Sequence, residues 1–403
     1  MESTLARIGF CRTAPLGGRT FGCRNCDTRV SLYNSCTDRH CPQCSGARRA
    51  TWLDNASELL IDGVTYFQVV FTLPDKLSSL MLGNRKTLYR TLMHAAWEAL
   101  RTSVETELGI RAAALMVLHT WNQRLEHHPH VHVLVPGSGP SLDGSRWIAG
   151  KTTKATRSKP ARPFLVDNRR LGQAFRRQFV QKLDRLRRRN ELDFGGTCES
   201  LRTETGWTEF KSAISEFDWC AFIEPPPDKG SSPQHVLKYL ARYLTGGPIS
   251  DRRLINMDES RVTFLARNPN KSSPQGQIPI SLTGIEFTRR WSLHILPKHF
   301  TKTRYFGGYS SNQRTEFIET CRRFVPKRHD VQPDDLADAT SEFDSRRSIS
   351  GESDSSEREL RNEDASPKCP SCGEPMDLVL RSHRPAWREV FYGPDHPAWF
   401  EGS

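Results

Sequence analysis

Tyr239 and Tyr243 stand four residues apart in VLKYLARYLTGG, and about a hundred residues earlier HPHVHVLV sets His130 and His132 two apart. Phenolic oxygens can attack phosphodiester bonds, and paired imidazoles can hold a divalent ion that polarises the phosphate under attack. That chemistry needs the tyrosines on one helix face and the histidines on one strand face. Side chains at i and i+4 stack one helical turn apart, so either phenol could reach the same phosphate. In a strand, His130, His132 and Leu134 point one way and Val131, Val133 and Val135 the other, which offers the valines to a core and the histidines to a cleft. Lys238 and Arg242 interleave with the tyrosines, and a neighbouring cation both lowers a phenol's pKa and attracts a polyanion. Each pattern also has an ordinary use: tyrosines at helical spacing pack cores, and strand histidines can pair with neighbours at a solvent face. The reading therefore depends on what surrounds them.

The surrounding elements alternate strand and helix. Residues 65–73, TYFQVVFTL, are β-branched and aromatic and end at Pro74, the pattern of a buried strand. A helix follows over about 84–107, with Leu88, Leu92, Ala95, Ala96, Ala99 and Leu100 near helical spacing and Gly109 as its stop. Residues 112–121 and 130–135 read as two strands of a hairpin joined through 122–128, and 136–163 as a long basic loop. In the helix expected over 169–190, Leu171, Phe175, Phe179, Leu183 and Leu186 form an apolar stripe. Arg176, Arg177, Arg187 and Arg188 lie largely off it, where they could meet a phosphate backbone or simply water. A further strand over 218–223 ends at Pro225, Pro226 and Pro227, and a helix from about Pro233 to Gly246 would carry the tyrosines.

The N-terminal residues read as a metal module. Cys23-Arg-Asn-Cys26 and Cys41-Pro-Gln-Cys44 are two Cys-x2-Cys knuckles at a spacing that can set four thiolates around one Zn2+, with Cys11, Cys36 and His40 as alternates. Cys369 and Cys372 form a lone half-knuckle whose other half is not evident. The net charge is +12 over 403 residues. Residues 330–364 hold twelve acidic and four basic residues, a local −8 that leaves about +20 on the rest. Such an imbalance favours a polyanionic partner and reads as a disordered acidic tail beside a nucleic-acid-binding body. No signal-peptide core or apolar run of membrane length occurs, so no membrane partner and a cytoplasmic location are expected.

Several long motifs in register are similar to the two-tyrosine HUH transposases of the insertion sequence 91 family: SCTDRHCPQC, FTLP, VLHTWNQ, HPHVHVLVPG, YLARYLTGGPIS, GIEFTRRWSLHILPKHF and RYFGGYS, over about the first 310 residues. The resemblance implies an α+β fold with an HUH-nuclease-like antiparallel sheet and flanking helices, preceded by a small zinc module and followed by the acidic tail. The implied domains are 1–55 (zinc), 60–310 (tyrosine nuclease), 311–329 (connector), 330–366 (acidic linker) and 367–403 (C-terminal tail). It makes Tyr239 and Tyr243 the nucleophiles and His130 and His132 the metal pair. Gln123 is the implied third ligand and His119 the runner-up; His128 is set aside because Pro129 breaks the HUH form. Mg2+ or Mn2+ suits imidazole and phosphate oxygens, and Zn2+ suits the thiolates. The implied activity is cleavage and rejoining of single-stranded DNA at element ends through 5′-phosphotyrosine links. A rolling-circle initiator or relaxase would share these residues but is generally coupled to a helicase, and no Gly-x4-Gly-Lys-Ser/Thr loop occurs here. A zinc-dependent DNA-binding protein without catalysis is the alternative from another class.

Overall fold

The computed structural model describes residues 2–155, 161–216, 219–224, 247–268, 270, 276–325 and 366–392. Lys238, Tyr239, Arg242, Tyr243 and the acidic stretch 330–364 lie outside the described residues. The α-helices are α1 (Glu2–Gly9), α2 (Ser45–Ser57), α3 (Ser78–Gly83), α4 (Arg85–Leu108), α5 (Asn168–Arg188), α6 (Glu204–Ser215), α7 (Gly284–Ser292), α8 (Arg314–Phe324) and α9 (Trp387–Tyr392). Strands of four or more residues are β1 (Gly18–Gly22), β2 (Arg29–Tyr33), β3 (Tyr66–Thr72), β4 (Ala113–Trp121), β5 (His127–Pro136) and β6 (Cys220–Glu224). They continue with β7 (Leu254–Met257), β8 (Arg261–Arg267), β9 (Gln277–Thr283), β10 (Thr303–Gly307) and β11 (Asp377–Ser382). The chain forms two compact units, Ser45–Lys327 and a smaller one built from both ends, Met1–Cys44 with Arg328–Ser403.

The larger unit is α+β and is organised by an antiparallel sheet in the order β6-β3-β5-β4-β10. Alternation decides what each face meets. Val69, Phe71, Met116, Leu118, Val131 and Val133 turn toward one core, where they join Leu88, Leu92, Ala96 and Leu100 of α4 and Leu171, Phe175, Phe179 and Leu183 of α5. Both helices stop and start where local chemistry directs. Gly109 closes α4 in the left-handed region at φ 74°, and the Asp167 carboxylate caps α5 by accepting from the Arg170 amide at 2.8 Å. Gly172 lets α5 approach closely, because a Cβ there would stand 2.4 Å from the Trp219 carbonyl oxygen.

The opposite face meets a second core at one end. Tyr66, Leu115, Val117 and Leu134 pack with Ala56 of α2 and with Phe317, Ile318 and Cys321 of α8. The stretch expected as a connector over 311–329 thus holds a helix, Arg314–Phe324, that closes this second core, since Phe317, Ile318 and Cys321 fall on one helical face. The segment 136–163, expected as a loop, pairs Gly139–Pro140 with Trp147–Ile148 and Lys151–Thr152 with Pro163–Phe164. A three-stranded sheet in the order β7-β8-β9 carries α7 and meets the β4–β5 turn, where the Arg267 amide donates to Gln123 Oε1 at 2.7 Å.

In the smaller unit β1 lies between β2 and β11, antiparallel to both. Residues 366–392 therefore do not form a separate tail. Their strand completes the N-terminal sheet, and Phe391 of α9 meets Phe10 at 5.9 Å between ring centroids.

Candidate functional site

Farther along the second face three imidazoles converge, His119 and His132 buried and His130 half-buried. His130 and His132 alternate along β5, and the hairpin register sets His119 of β4 directly opposite His130. One ring nitrogen from each of the three lies within 4.8 Å of the others, a spacing suited to one metal ion. Burial holds His130 and His132 neutral, pushing their pKa values down to about 4 and about 3, and the nearby Lys302 ammonium acts in the same direction. Neutral imidazole is the form that ligates. The Nδ1–H of His130 donates to the His128 carbonyl at 2.8 Å, which leaves Nε2 to face the cluster. His128 itself turns away and pairs with Asp75 at 2.9 Å. Trp121 stacks on His119 with centroids 4.5 Å apart, and the Lys302 ammonium sits 5.0 Å from the centre of that indole.

Gln123 does not join this cluster. It follows β4 into the turn, where its side chain accepts from the Arg267 amide and its carbonyl from the Arg253 guanidinium. Strand periodicity explains the difference: Val117 and His119 share the face of His132 and His130, whereas position 123 lies past the strand's end at Trp121. Sequence reading also missed Gln68. It is buried on β3, and its amide lies 2.9 Å from His132 Nδ1. With the amide nitrogen toward the ring, Gln68 Oε1 is a buried acceptor without a hydrogen-bond partner. The reversed amide instead lets Oε1 accept from His132 Nδ1–H and leaves Nε2 to ligate. The signal was available, since Gln68 is the one amide in the apolar run YFQVVFT.

The cysteines form two quartets rather than one. Cys41 and Cys44 gather with Cys11 and Cys36, while Cys23 and Cys26 gather with Cys369 and Cys372. The single quartet of Cys23, Cys26, Cys41 and Cys44 expected from spacing is not formed. The Cys23 knuckle forms the turn of the β1–β2 hairpin, strand β2 lies between it and the Cys41 knuckle, and each closes on cysteines from elsewhere in the chain. His40 belongs to neither, and its Nδ1 lies 3.1 Å from the Asp38 carboxylate.

Sequence comparison with known proteins identifies the chain's relatives. Residues 113–316, which span the paired histidines and both tyrosines, match the family described as "Putative transposase". Residues 1–73 match the "Transposase zinc-binding domain" of insertion sequence 91 elements. The chain belongs to the insertion sequence 91 family of transposases. It is 35% identical over 320 residues to "Putative transposase y4qJ" of Sinorhizobium fredii, covering 79% of this chain and 76% of the relative. It is 27% identical over 326 residues to the transposase for insertion sequence element IS801 of Pseudomonas savastanoi pv. phaseolicola, covering 80% of this chain and 72% of the relative. Among solved structures, a metal-bound conjugative relaxase TrwC in complex with oriT DNA shares 11% identity over 45% of this chain and 71% of its own, at a TM-score of 0.16. That score is too low to establish a common fold.

The transposase's arginine helix divides its basic residues between two uses. Arg187 is held inside the protein: its guanidinium bonds to Glu204 at 2.6 Å and to the Arg202 carbonyl, and lies 5.2 Å from the Trp207 ring centre. Arg176 donates to the Ser215 carbonyl at 2.8 Å, so it too fastens α5 to α6. Arg177 and Arg188 are exposed. If these two meet DNA, Arg177→Ala with Arg188→Ala lowers the slope of log affinity against log salt by about 2, at roughly 0.7 to 0.9 per lost phosphate contact. Arg187→Ala instead lowers the melting temperature and leaves that slope unchanged. Fluorescence anisotropy across a salt series with thermal melts decides; a salt effect from Arg187 alone would reverse the assignment.

Among the described residues, no helix is long and apolar enough to cross a membrane.

Proposed function

We propose that this transposase cleaves and rejoins single-stranded DNA at the ends of its element. Tyr239 and Tyr243 act as nucleophiles that form 5′-phosphotyrosine links, and His119, His130 and His132 hold Mg2+ or Mn2+. The convergence of three imidazoles on one face of the central sheet is the observation that carries this reading. Three neutral imidazoles fit the softer Mn2+ better than the hard, oxygen-seeking Mg2+, and phosphate oxygens would complete the shell of either ion. When bound, the ion adds positive charge at the phosphate under attack.

The chain's own groups prepare that place. The His128 carbonyl and Gln68 fix the rings of His130 and His132, so their ligating nitrogens need no reorganisation. Lys302 adds a fixed cation beside the rings, a favourable setting for a phosphate and for the charge that grows on it during attack. The segment bearing the tyrosines follows β6 in sequence, and β6 pairs Glu224 with Gln68, the residue that contacts His132. The remaining tyrosines of the larger unit are poorly suited: Tyr66, Tyr89 and Tyr309 are buried with raised pKa values, and Arg314 covers Tyr305 at 4.7 Å. A transposase that acts on cellular DNA works in the cytoplasm of its host.

Single-stranded oligonucleotides carrying the element's own ends, incubated with the protein and Mn2+, should give an adduct that survives denaturing electrophoresis and is lost with EDTA. Tight DNA binding with no adduct at either end would leave a binding protein and refute the catalytic reading. Gln68→Leu should weaken Mn2+ binding by about 10- to 100-fold, the usual loss when a group orienting a metal-bound histidine is removed. Calorimetric titration reads this, and unchanged affinity would show that His132 is oriented without Gln68.

A further inference from the structure

We infer that Cys23, Cys26, Cys369 and Cys372 form a second Zn2+ site, built half from each end of the chain and independent of the one formed by Cys11, Cys36, Cys41 and Cys44. The zinc-binding family match ends at residue 73 and includes neither Cys369 nor Cys372. The geometry brings them in. Cys23 and Cys372 Sγ lie 3.5 Å apart, Cys26 and Cys369 3.5 Å, and Cys26 and Cys372 3.6 Å. A tetrahedral Zn2+ with Zn–S of about 2.3 Å sets its sulfurs about 3.8 Å from one another. A disulfide would need about 2.05 Å. The four thiols therefore stand close to the edges of a tetrathiolate centre and far from bonded pairs. The other quartet repeats the spacing, with 3.6 Å from Cys11 to Cys44 and 3.7 Å from Cys36 to Cys44.

The backbone on both sides is shaped for ligation. In the C-terminal knuckle the Cys369 amide donates to the Glu374 carbonyl, the Gly373 amide returns to the Cys369 carbonyl at 2.8 Å, and Gly373 adopts φ 79°. A glycine takes that left-handed turn without strain. In the N-terminal knuckle the Cys23 amide donates to the Thr28 carbonyl at 2.9 Å. The pairing continues beyond the sulfurs. Gly22 of β1 stands opposite Asp377 of β11, Arg24 bonds to Asp377, and the register runs on to Gly18 opposite Ser382. Arg384 then donates to the Cys36 carbonyl at 3.0 Å, beside the first quartet. A unit this small buries little apolar surface: its two clusters have Leu16, Phe21 and Met376 as their buried residues besides cysteine. Small domains with so thin a core depend on a metal or covalent staple. Here the second staple also fixes the C-terminal strand to the N-terminal sheet.

Zinc counted by elemental analysis on the full-length protein tests this. The unsubstituted chain should hold two ions. Cys369→Ser with Cys372→Ser should hold one, as should the variant with all four of Cys23, Cys26, Cys369 and Cys372 changed to Ser. Two ions in the double variant, or none in the quadruple variant, would overturn independent quartets. Should those variants fail to fold, alkylation of the unsubstituted, zinc-loaded chain during slow chelation decides, with each cysteine followed by mass spectrometry. Cys369 and Cys372 should become reactive in step with Cys23 and Cys26 and out of step with Cys11, Cys36, Cys41 and Cys44. Immediate labelling of Cys369 and Cys372 while Cys23 and Cys26 stay protected would refute the shared site.

Discussion

His119→Ala should lower Mn2+-dependent cleavage of single-stranded DNA by about 10²- to 10³-fold, while Gln123→Ala should leave the rate within about threefold. Both residues are polar, close in sequence and near the same hairpin, so the contrast isolates geometry from composition. His119 is buried, faces His130 across the β4–β5 ladder, and approaches His132 at 4.5 Å between ring centroids. Its loss would remove one of three nitrogens around the ion and leave two, which weakens binding and lets the remaining rings accept a looser geometry. Gln123 gives its side chain to the Arg267 amide, and removing that bond costs about 1 kcal/mol of local stability. Single-turnover cleavage at saturating Mn2+, alongside a binding titration, separates lost affinity from lost rate. Equal defects in both variants would mean that the ion recruits Gln123 by rearranging the turn, and a larger defect in Gln123→Ala would sink the three-histidine site.

Much of the larger unit was legible because its signals are local. Alternation in HPHVHVLV assigns the valines to a core whatever the rest of the chain does, and β5 packs Val131, Val133 and Val135 accordingly. The α5 stripe of Leu171, Phe175, Phe179 and Leu183 is equally local. What sequence spacing concealed was pairing at a distance. His119 follows from the β4–β5 register, which the turn fixes, and Gln123 looked attractive only while the end of β4 was unknown. The cysteines show the same limit more sharply. The Cys23 and Cys41 knuckles have the spacing of one site, yet each quartet draws on another segment, one of them more than three hundred residues away. Nothing local distinguishes Cys369-Pro-Ser-Cys372 with a remote partner from the same motif with none. Arg187 makes a related point: a basic residue off an apolar stripe is as available to Glu204 and Trp207 as to a phosphate, and tertiary neighbours decide.

Replacing both Tyr239 and Tyr243 with Phe should abolish the covalent DNA adduct, a loss of at least about 10⁴-fold, while single-stranded DNA binding persists. Phe removes one oxygen and keeps the ring, so packing at either position changes little and a defect reports the nucleophile. A phenol with a pKa near 10 is about 0.1% ionised at neutral pH, so the reaction depends on strong charge stabilisation at the phosphate and on a cation beside the phenol. Lys238 and Arg242 flank the tyrosines in sequence, and Lys302 stands at the histidine end of the sheet. Each attack would exchange one phosphoester for another: the tyrosine oxygen bonds to phosphorus, the 3′-oxygen leaves and takes up a proton, and the energy of the broken bond is kept in the link. The reverse attack by a 3′-hydroxyl then rejoins DNA without a nucleotide cofactor. Two nucleophiles permit two such links at once, so each single Phe variant should still form an adduct, mapped by peptide mass to the tyrosine that remains, yet fail to exchange two strands in one complex. An adduct that persists in the double variant, at Tyr305 or at any other residue, would show that the i, i+4 pair packs the protein rather than attacking DNA.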